Sequence, residues 1–341
     1  MSQINHDNID EFLLERICQL YNVNVYDLTF INAADNNFVY SFQKGCKKFF
    51  LRGGLRHSSE QITAELDWIQ FLNSQGVNVS LPIQSKDGKY LELVDFGNKL
   101  VNVVVFESAP GKQINSEDPT EWNELLWEEM GKTLGKMHSA AVLYNSKQLH
   151  HKRESALESV LITAKKVLKS KKEKELLKKF KALMTKLDFL PKDPTTYGLI
   201  QYDFHCENFN AQNGEITVYD FDDSHYFFFF YDLAAAIHEA VWDNPDDEKL
   251  AFANRFIPSL WKGYSSVYQL DRKWLEYLPD FLKWREFDIY ITLVESFKDK
   301  SAPERYLKII ENIMLEFQGR AESPKQIVPL PDNLEIWFPK Y

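Results

Sequence analysis

The chain changes character once. Between Phe38 and Glu107 its apolar residues come in short runs with strand chemistry, and beyond about residue 115 they recur at helical spacing almost to the end. Phe38-Val39-Tyr40-Ser41-Phe42 and Lys48-Phe49-Phe50-Leu51-Arg52, joined around Gln43-Lys44-Gly45, predict a hairpin. Ser58-Ser59-Glu60 opens a run with Ile62, Leu66, Ile69 and Phe71-Leu72 that ends near Gly76, as a capped helix does. Further strands are predicted at 90–95 and 100–107, and Ile9, Phe12, Leu13, Ile17, Leu20 and Tyr21 predict an amphipathic helix before the hairpin. After the Pro110-Gly111 break, helices are predicted over 122–141, 156–187, 232–242, 248–268 and 274–298. A β-rich first third followed by a mainly helical remainder predicts an α+β fold of two lobes with a cleft between them. The lobes are placed at 1–107 and 115–341, joined by a hinge at 108–114.

Composition narrows the function. The 341 residues are 44% hydrophobic, enough for two cores, and carry 40 Lys and Arg against 50 Asp and Glu. A net charge of −10 leaves no broad basic surface for a phosphate backbone, and the lysine run at 165–179 reads as a solvated helix face, so nucleic acid is not an expected partner. The N-terminus lacks a basic stretch followed by an apolar one, and no run approaches 18 apolar residues, so a membrane partner is not expected and a cytoplasmic location is. Cys18, Cys46 and Cys206, odd in number and far apart, fit neither a disulfide framework nor a zinc site and read as reduced thiols.

The chemistry concentrates in Leu199-Ile200-Gln201-Tyr202-Asp203-Phe204-His205-Cys206-Glu207-Asn208-Phe209 and, twelve residues after Asn208, Asp220-Phe221-Asp222-Asp223. Asn213-Gly214 between them is a hairpin turn flanked by Asn208-Phe209 and Ile216-Thr217-Val218-Tyr219. An isolated Asp-x-x-x-x-Asn is most often a turn with capping side chains. Here a carboxylate, an amide five residues on and a second carboxylate across a hairpin converge at one end of the strand pair. Phosphoryl transfer needs such a set, one Asp to orient and deprotonate the attacking hydroxyl and an Asn and Asp whose oxygens hold a cation against the phosphates. Hard oxygen donors suit Mg²⁺ over zinc.

Asp203-Phe204-His205-Cys206-Glu207-Asn208 with Val218-Tyr219-Asp220-Phe221-Asp222 resembles the catalytic loop and metal segment of the aminoglycoside phosphotransferase and choline kinase superfamily, relatives of the protein kinases. The resemblance implies a protein-kinase-like bilobal fold, with Asp203 catalytic and Asn208 and Asp220 holding Mg²⁺. ATP is the implied donor, with GTP left open. It also implies that Arg52 pairs the phosphates, braced by Glu65 in preference to Glu60, which sits nearer the helix start. Val103 to Gly111 looks like the hinge, which places Phe106, Glu107 and Ala109 against adenine. The loop covering the nucleotide would lie at 32–37 and use Asn36 and Asn37. Leu134-Gly135-Lys136-Met137-His138 and Tyr231-Asp232-Leu233-Ala234 resemble two structural signatures of the larger lobe.

Three features depart from the family pattern. Gln201-Tyr202 stands where a His-Gly pair is common, Arg52 stands for the usual Lys, and the nucleotide loop has no glycine. Arginine keeps the charge and can fork two phosphate oxygens. His205, Asp222 and Asp223 adjoin these groups as supporting or substrate-facing residues, and Trp242 and Trp284 stand among acids that suit a cationic acceptor. The expected reaction is phosphorylation of a hydroxyl on a small molecule such as an aminoglycoside, amino alcohol or aminosugar. A protein Ser/Thr kinase of the stress-response type and a catalytically silent nucleotide-binding scaffold are the alternatives. The sequence does not specify an oligomeric state.

Overall fold

The computed structural model describes residues 9, 11–34, 37–97, 99–144, 153–299, 304–323 and 326–340. Helix α1 (Glu11–Tyr21) precedes strands β1 (Thr29–Ala34), β2 (Asn37–Lys44) and β3 (Lys47–Gly54). Helix α2 (Ser59–Ser74) then leads through β4 (Pro82–Ile83) and β5 (Glu92–Phe96) to β6 (Lys99–Glu107). The antiparallel sheet runs β1-β2-β3-β6-β4, and β5 also pairs with β6.

Pleating decides what each side chain meets. The odd residues Phe49 and Leu51 of β3 and Val101, Val103 and Val105 of β6 join Leu13, Ile17 and Tyr21 of α1 in one buried cluster. Val104, on the opposite face, packs with Ile62 and Leu66 of α2. Arg52 lies opposite Val104, which aims it at α2 and away from the apolar layer under α1. Gly53 is set by packing, because a Cβ there would meet the Phe38 ring at 2.2 Å. Helix α2 starts where predicted because Ser58 and Gln61 close a capping box.

The segment expected to cover the nucleotide is mostly strand. Asn32, Ala33 and Ala34 pair with Val39, Phe38 and Asn37, so β-rich Phe38-Val39-Tyr40 draws its neighbour into the sheet. Asn37 opens β2, and Asn36 lies outside the described residues.

Within the segment 108–114 expected as a hinge, β7 (Lys112–Gln113) pairs with β9 (Phe209–Gln212), which forms a hairpin with β10 (Glu215–Val218). Asn213 and Gly214 turn that hairpin with φ of 54° and 82°, the pair of left-handed residues a two-residue turn requires. Strand β8 (Tyr197–Ile200) pairs with β11 (His225–Phe228). Around these pack α3 (Glu124–Leu143), α4 (Ala156–Val167), α5 (Lys171–Asp188), α6 (Phe229–Trp242), α7 (Lys249–Ser265), α8 (Leu278–Asp299) and α9 (Glu304–Glu322). The helix expected over 156–187 is two, because Leu168 turns into the core and Ser170 with Glu173 caps the chain afresh. The one expected from Asp232 begins at Phe229, where the buried aromatic run passes from β11 into α6. The one expected from Trp274 opens as a 3-10 turn over Arg272–Tyr277 before α8. Among the described residues no helix is long and apolar enough to cross a membrane.

Candidate active site

Two strand pairs bring the chemistry together. The loop 201–208 connects β8 to β9, and the segment 219–224 connects β10 to β11. Because β9 pairs with β10 and β8 with β11, the two connections share both ends: Val218 faces Phe209 and His225 faces Ile200. Tyr219 N–H donates to Asn208 O at 2.9 Å. Gln201, fully buried, closes the assembly from the other side. Its Oε1 accepts the Asp203 N–H at 2.7 Å and its Nε2 donates to Asp220 O at 2.9 Å. The residue that departs from the family's His therefore ties the 201–208 loop to the 219–224 segment.

Tyr202 takes φ 76°, a conformation costing of order 1–3 kcal/mol outside glycine. Three contacts hold it there. Its N–H donates to Asp232 Oδ1 at 2.9 Å, its hydroxyl accepts from Trp284 Nε1 at 2.9 Å, and its ring lies 4.6 Å from that of Tyr231. Asp232 is itself fixed by His138, 3.1 Å from Oδ2. Trp284 is 0% exposed, so it supports Tyr202 from within the core and faces no cavity.

Asp203 Oδ1 lies 2.5 Å from Arg285 Nη2, and Oδ2 lies 3.3 Å from His205 Nε2. Arg285 Nε also pairs with Glu239 at 2.8 Å. Burial works to raise the Asp203 carboxyl, but Arg285 and His205 overcome it and hold it well below the usual carboxylate range. Burial likewise opposes charge on His205, yet the Asp203 carboxylate lifts its pKa to about 10. Asn208 donates through Nδ2 to Asp203 O at 2.8 Å and to Oδ2 at 3.2 Å, which leaves its Oδ1 as the oxygen to offer a cation.

Asp220 stands at φ 61° with solvent access, beside buried Asp222. The Asp222 charge and burial push the Asp220 carboxyl well up. A crowded, exposed carboxylate and an amide oxygen are hard donors that fit a divalent cation. Among the described residues no three His, Cys, Asp or Glu side chains gather as a metal cage, so these donors suit a cation shared with phosphate oxygens.

On the nucleotide side, Arg52 Nη2 lies 2.7 and 2.9 Å from the two oxygens of Glu65, which is 1% exposed, whereas Glu60 faces solvent. Burial opposes the Arg52 charge, but Glu65 and Asp222 outweigh it and keep the guanidinium firmly protonated. The Phe106 ring lies 5.4 Å under it, and Asn37 borders a small recess beside it. Glu107 is engaged elsewhere: its N–H donates to Leu81 O at 2.8 Å, its carbonyl accepts the Ser80 hydroxyl, and its carboxylate pairs with Lys47 at 2.9 Å. The Ala109 carbonyl accepts from Asn210 at 2.9 Å.

Three functional neighbours were missing from the sequence reading. Arg56, between β3 and α2, pairs with Asp222 and Asp223 at 3.0 and 2.7 Å. Arg153, almost fully buried, donates to the carbonyls of Ser224 at 2.7 Å, Phe221 and Gln61 at 3.2 Å, and Asp222. Glu239 shares Arg285. Separations of 46 to 167 residues divide these partners, and no local pattern signals them.

Two cavities flank the Arg285–Glu239 pair. One, of about 550 Å³, opens beside Tyr202, Asp203, Asp223, Arg285 and Asp288. The other, of about 1100 Å³, is walled by Trp122, Glu207, Glu239, Trp242 and Asp243. Burial, with the nearby Glu239 and Glu207 charges, raises the Asp243 carboxyl against the opposing charge of His205.

Residues 27–274 match the phosphotransferase enzyme family, APH. The chain belongs to this family. It is 32% identical over 293 residues to the amicoumacin kinase of Bacillus subtilis (strain 168), covering 84% of this chain and 86% of that protein. Among solved structures it is similar to the amicoumacin kinase hAmiN in complex with AMP-PNP, Ca²⁺ and Ami, with a TM-score of 0.85, 29% identity and coverage of 95% and 97% of the two chains. A microcompartment-associated aminopropanol kinase shares the fold at a TM-score of 0.69 and 21% identity, with coverage of 92% and 97%. The family expected from the two loop motifs is thus the right one, and the protein is a small-molecule phosphotransferase acting on a hydroxyl group.

Proposed function

We propose that the protein moves the γ-phosphoryl group of ATP to a hydroxyl of a cationic small molecule, with amicoumacin the first acceptor to test. The observation that carries the acceptor class is the acid- and tryptophan-walled cavity that reaches Glu239 beside Asp203. An ammonium group there would meet Asp243 and Glu207 and the Trp242 face. The similar kinase solved with AMP-PNP, Ca²⁺ and Ami supports ATP as donor, a divalent cation and this acceptor class.

Arg52, fixed by Glu65, holds the phosphates, and Phe106 with the Ala109 N–H receives the base. Asn208 and Asp220 hold the cation, for which Mg²⁺ is the cellular choice. That cation, when bound, neutralises charge developing on the phosphate oxygens. Asp203 takes the acceptor hydroxyl as a hydrogen-bond partner. Its depressed pKa makes orientation its main contribution, since a weakly basic carboxylate removes the proton only as the new P–O bond forms. Residues 1–107 and 115–341 act as the nucleotide and acceptor lobes about the hinge at 108–114, in the cytoplasm where ATP is held.

Incubation with ATP, Mg²⁺ and amicoumacin, followed by mass spectrometry of the acceptor, tests this reading. Transfer to amicoumacin and not to its N-acetylated form is expected. Equal transfer to both would remove the cationic acceptor, and no transfer to any hydroxylated amine would remove the acceptor class altogether.

A further inference from the structure

Arg56 belongs to the short connection between β3 and α2, yet its guanidinium reaches across the cleft to the metal segment. Nη1 lies 3.0 Å from Asp222 Oδ2 and Nη2 lies 2.7 Å from Asp223 Oδ1. Arg52 and His57 approach the same Asp222 oxygen only to 4.0 and 3.7 Å. Three carboxylates thus stand within four residues, and Arg56 forks two of them. Among the described residues the third, Asp220, makes no ion pair and is exposed, whereas Asp222 is buried and Asp223 half-buried. Arg153 meanwhile grips the main chain of this segment, so its backbone and its carboxylates are fixed by separate arginines.

We propose that Arg56 is a positioning residue that sorts these carboxylates, holding Asp222 and Asp223 away from the cation so that Asp220, with Asn208, receives it. The inference rests on the reading of Asp220 as a cation ligand. A planar guanidinium suits the task because it binds two carboxylates at once, which a lysine ammonium does with less geometric control. Without it, Asp223 would lose this partner and Asp222 would keep only the longer contacts to Arg52 and His57, so both would compete with Asp220 for a cation. A cation so held would bind more tightly to the protein alone and would be less available to phosphate oxygens.

The test compares Mn²⁺ affinity of the nucleotide-free protein, read by electron paramagnetic resonance, with turnover of Mg²⁺-ATP. Arg56→Met is expected to bind Mn²⁺ about tenfold more tightly, since one nearby positive charge is gone, and to turn over about tenfold more slowly. Adding Asp223→Asn should reverse the gain in Mn²⁺ affinity, and Arg56→Lys should fall between wild type and Arg56→Met. Arg56→Lys also supplies the comparison if Arg56→Met does not fold. Unchanged or weaker Mn²⁺ binding in a variant with wild-type melting would overturn the assignment and leave Arg56 a purely structural tie. Failure of the wild type to bind Mn²⁺ even with AMP-PNP would instead remove the cation reading beneath it. Neither result depends on which acceptor the enzyme uses.

Discussion

Arg52–Glu65 and Arg285–Asp203 are both arginine–carboxylate pairs at one active site, and they are built for opposite ends. In the first, a strand and the following helix place the partners 13 residues apart, one nitrogen meets both carboxylate oxygens, and the glutamate is sealed from solvent. In the second, the partners stand 82 residues apart, the arginine is shared with Glu239, the aspartate is shared with His205 and Asn208, and its side chain keeps 25% exposure. A closed pair holds a charge in place through the catalytic cycle. A shared pair at a cavity wall can exchange one partner for an acceptor hydroxyl while the others keep the carboxylate aligned.

Four variants break or sharpen this contrast. The largest effect is expected from Asp203→Asn, which should lower turnover by about 10²–10⁴-fold while calorimetric AMP-PNP binding stays at the wild-type level; joint loss of binding would mean the two regions are not separable. Glu65→Ala strands a buried guanidinium and should cost about 3–5 kcal/mol in chemical unfolding. A loss below about 1 kcal/mol, the value of an exposed pair, would show that Asp222 alone satisfies Arg52, and the pair would no longer count as closed. Arg285→Met should slow turnover by about 10–100-fold through misalignment of Asp203, with a smaller change in melting temperature than Glu65→Ala. The reverse ranking would cast Arg285 as a structural tie.

The smallest effect is a pH dependence. The folded-state pKa of His205, about 10, lies above its ordinary value of 6.5. Its contribution to stability is therefore complete below pH 6.5 and lost as pH rises towards 10. His205→Asn should flatten the decline in melting temperature over that window. An unchanged slope would place the Asp203–His205 contact outside the stability of the loop.

What was legible in the sequence was local. The Ser58 cap and the 3–4 spacing behind it fix α2, the Asn213-Gly214 turn fixes the hairpin, and the parity of β3 carries Arg52 towards Glu65. Antiparallel pairing then converts short separations along the chain into proximity, so Asp203, Asn208 and Asp220 could be grouped before any coordinates. The missed features are those that no short-range rule reaches. The β1 pairing reaches into a segment that family pattern suggested as loop, because backbone pairing with Phe38 and Val39 is indifferent to the polar, exposed side chain of Asn32. Arg56, Arg153, Glu239 and the Asp203 contact of Arg285 depend on how helices and loops settle across the cleft, and one guanidinium in a sequence gives no sign of which carboxylate it will meet. Trp284 reads in sequence as either a substrate-facing or a supporting aromatic and is sealed in the core beside Tyr202, since hydrophobic character alone does not separate a cavity wall from what lies behind it.

Among the described residues Arg153 donates to main-chain oxygens, those of Gln61 in α2 and of Phe221, Asp222 and Ser224. Its grip is indifferent to which side chains those positions carry and depends wholly on the path of the chain. Exchanging a side chain along the segment would therefore leave these bonds in place, whereas inserting or deleting one residue between Phe221 and Ser224 would put its acceptors out of register. Arg153 acts as a gauge of length, set by the path of the main chain and separate from the carboxylates that Arg56 holds.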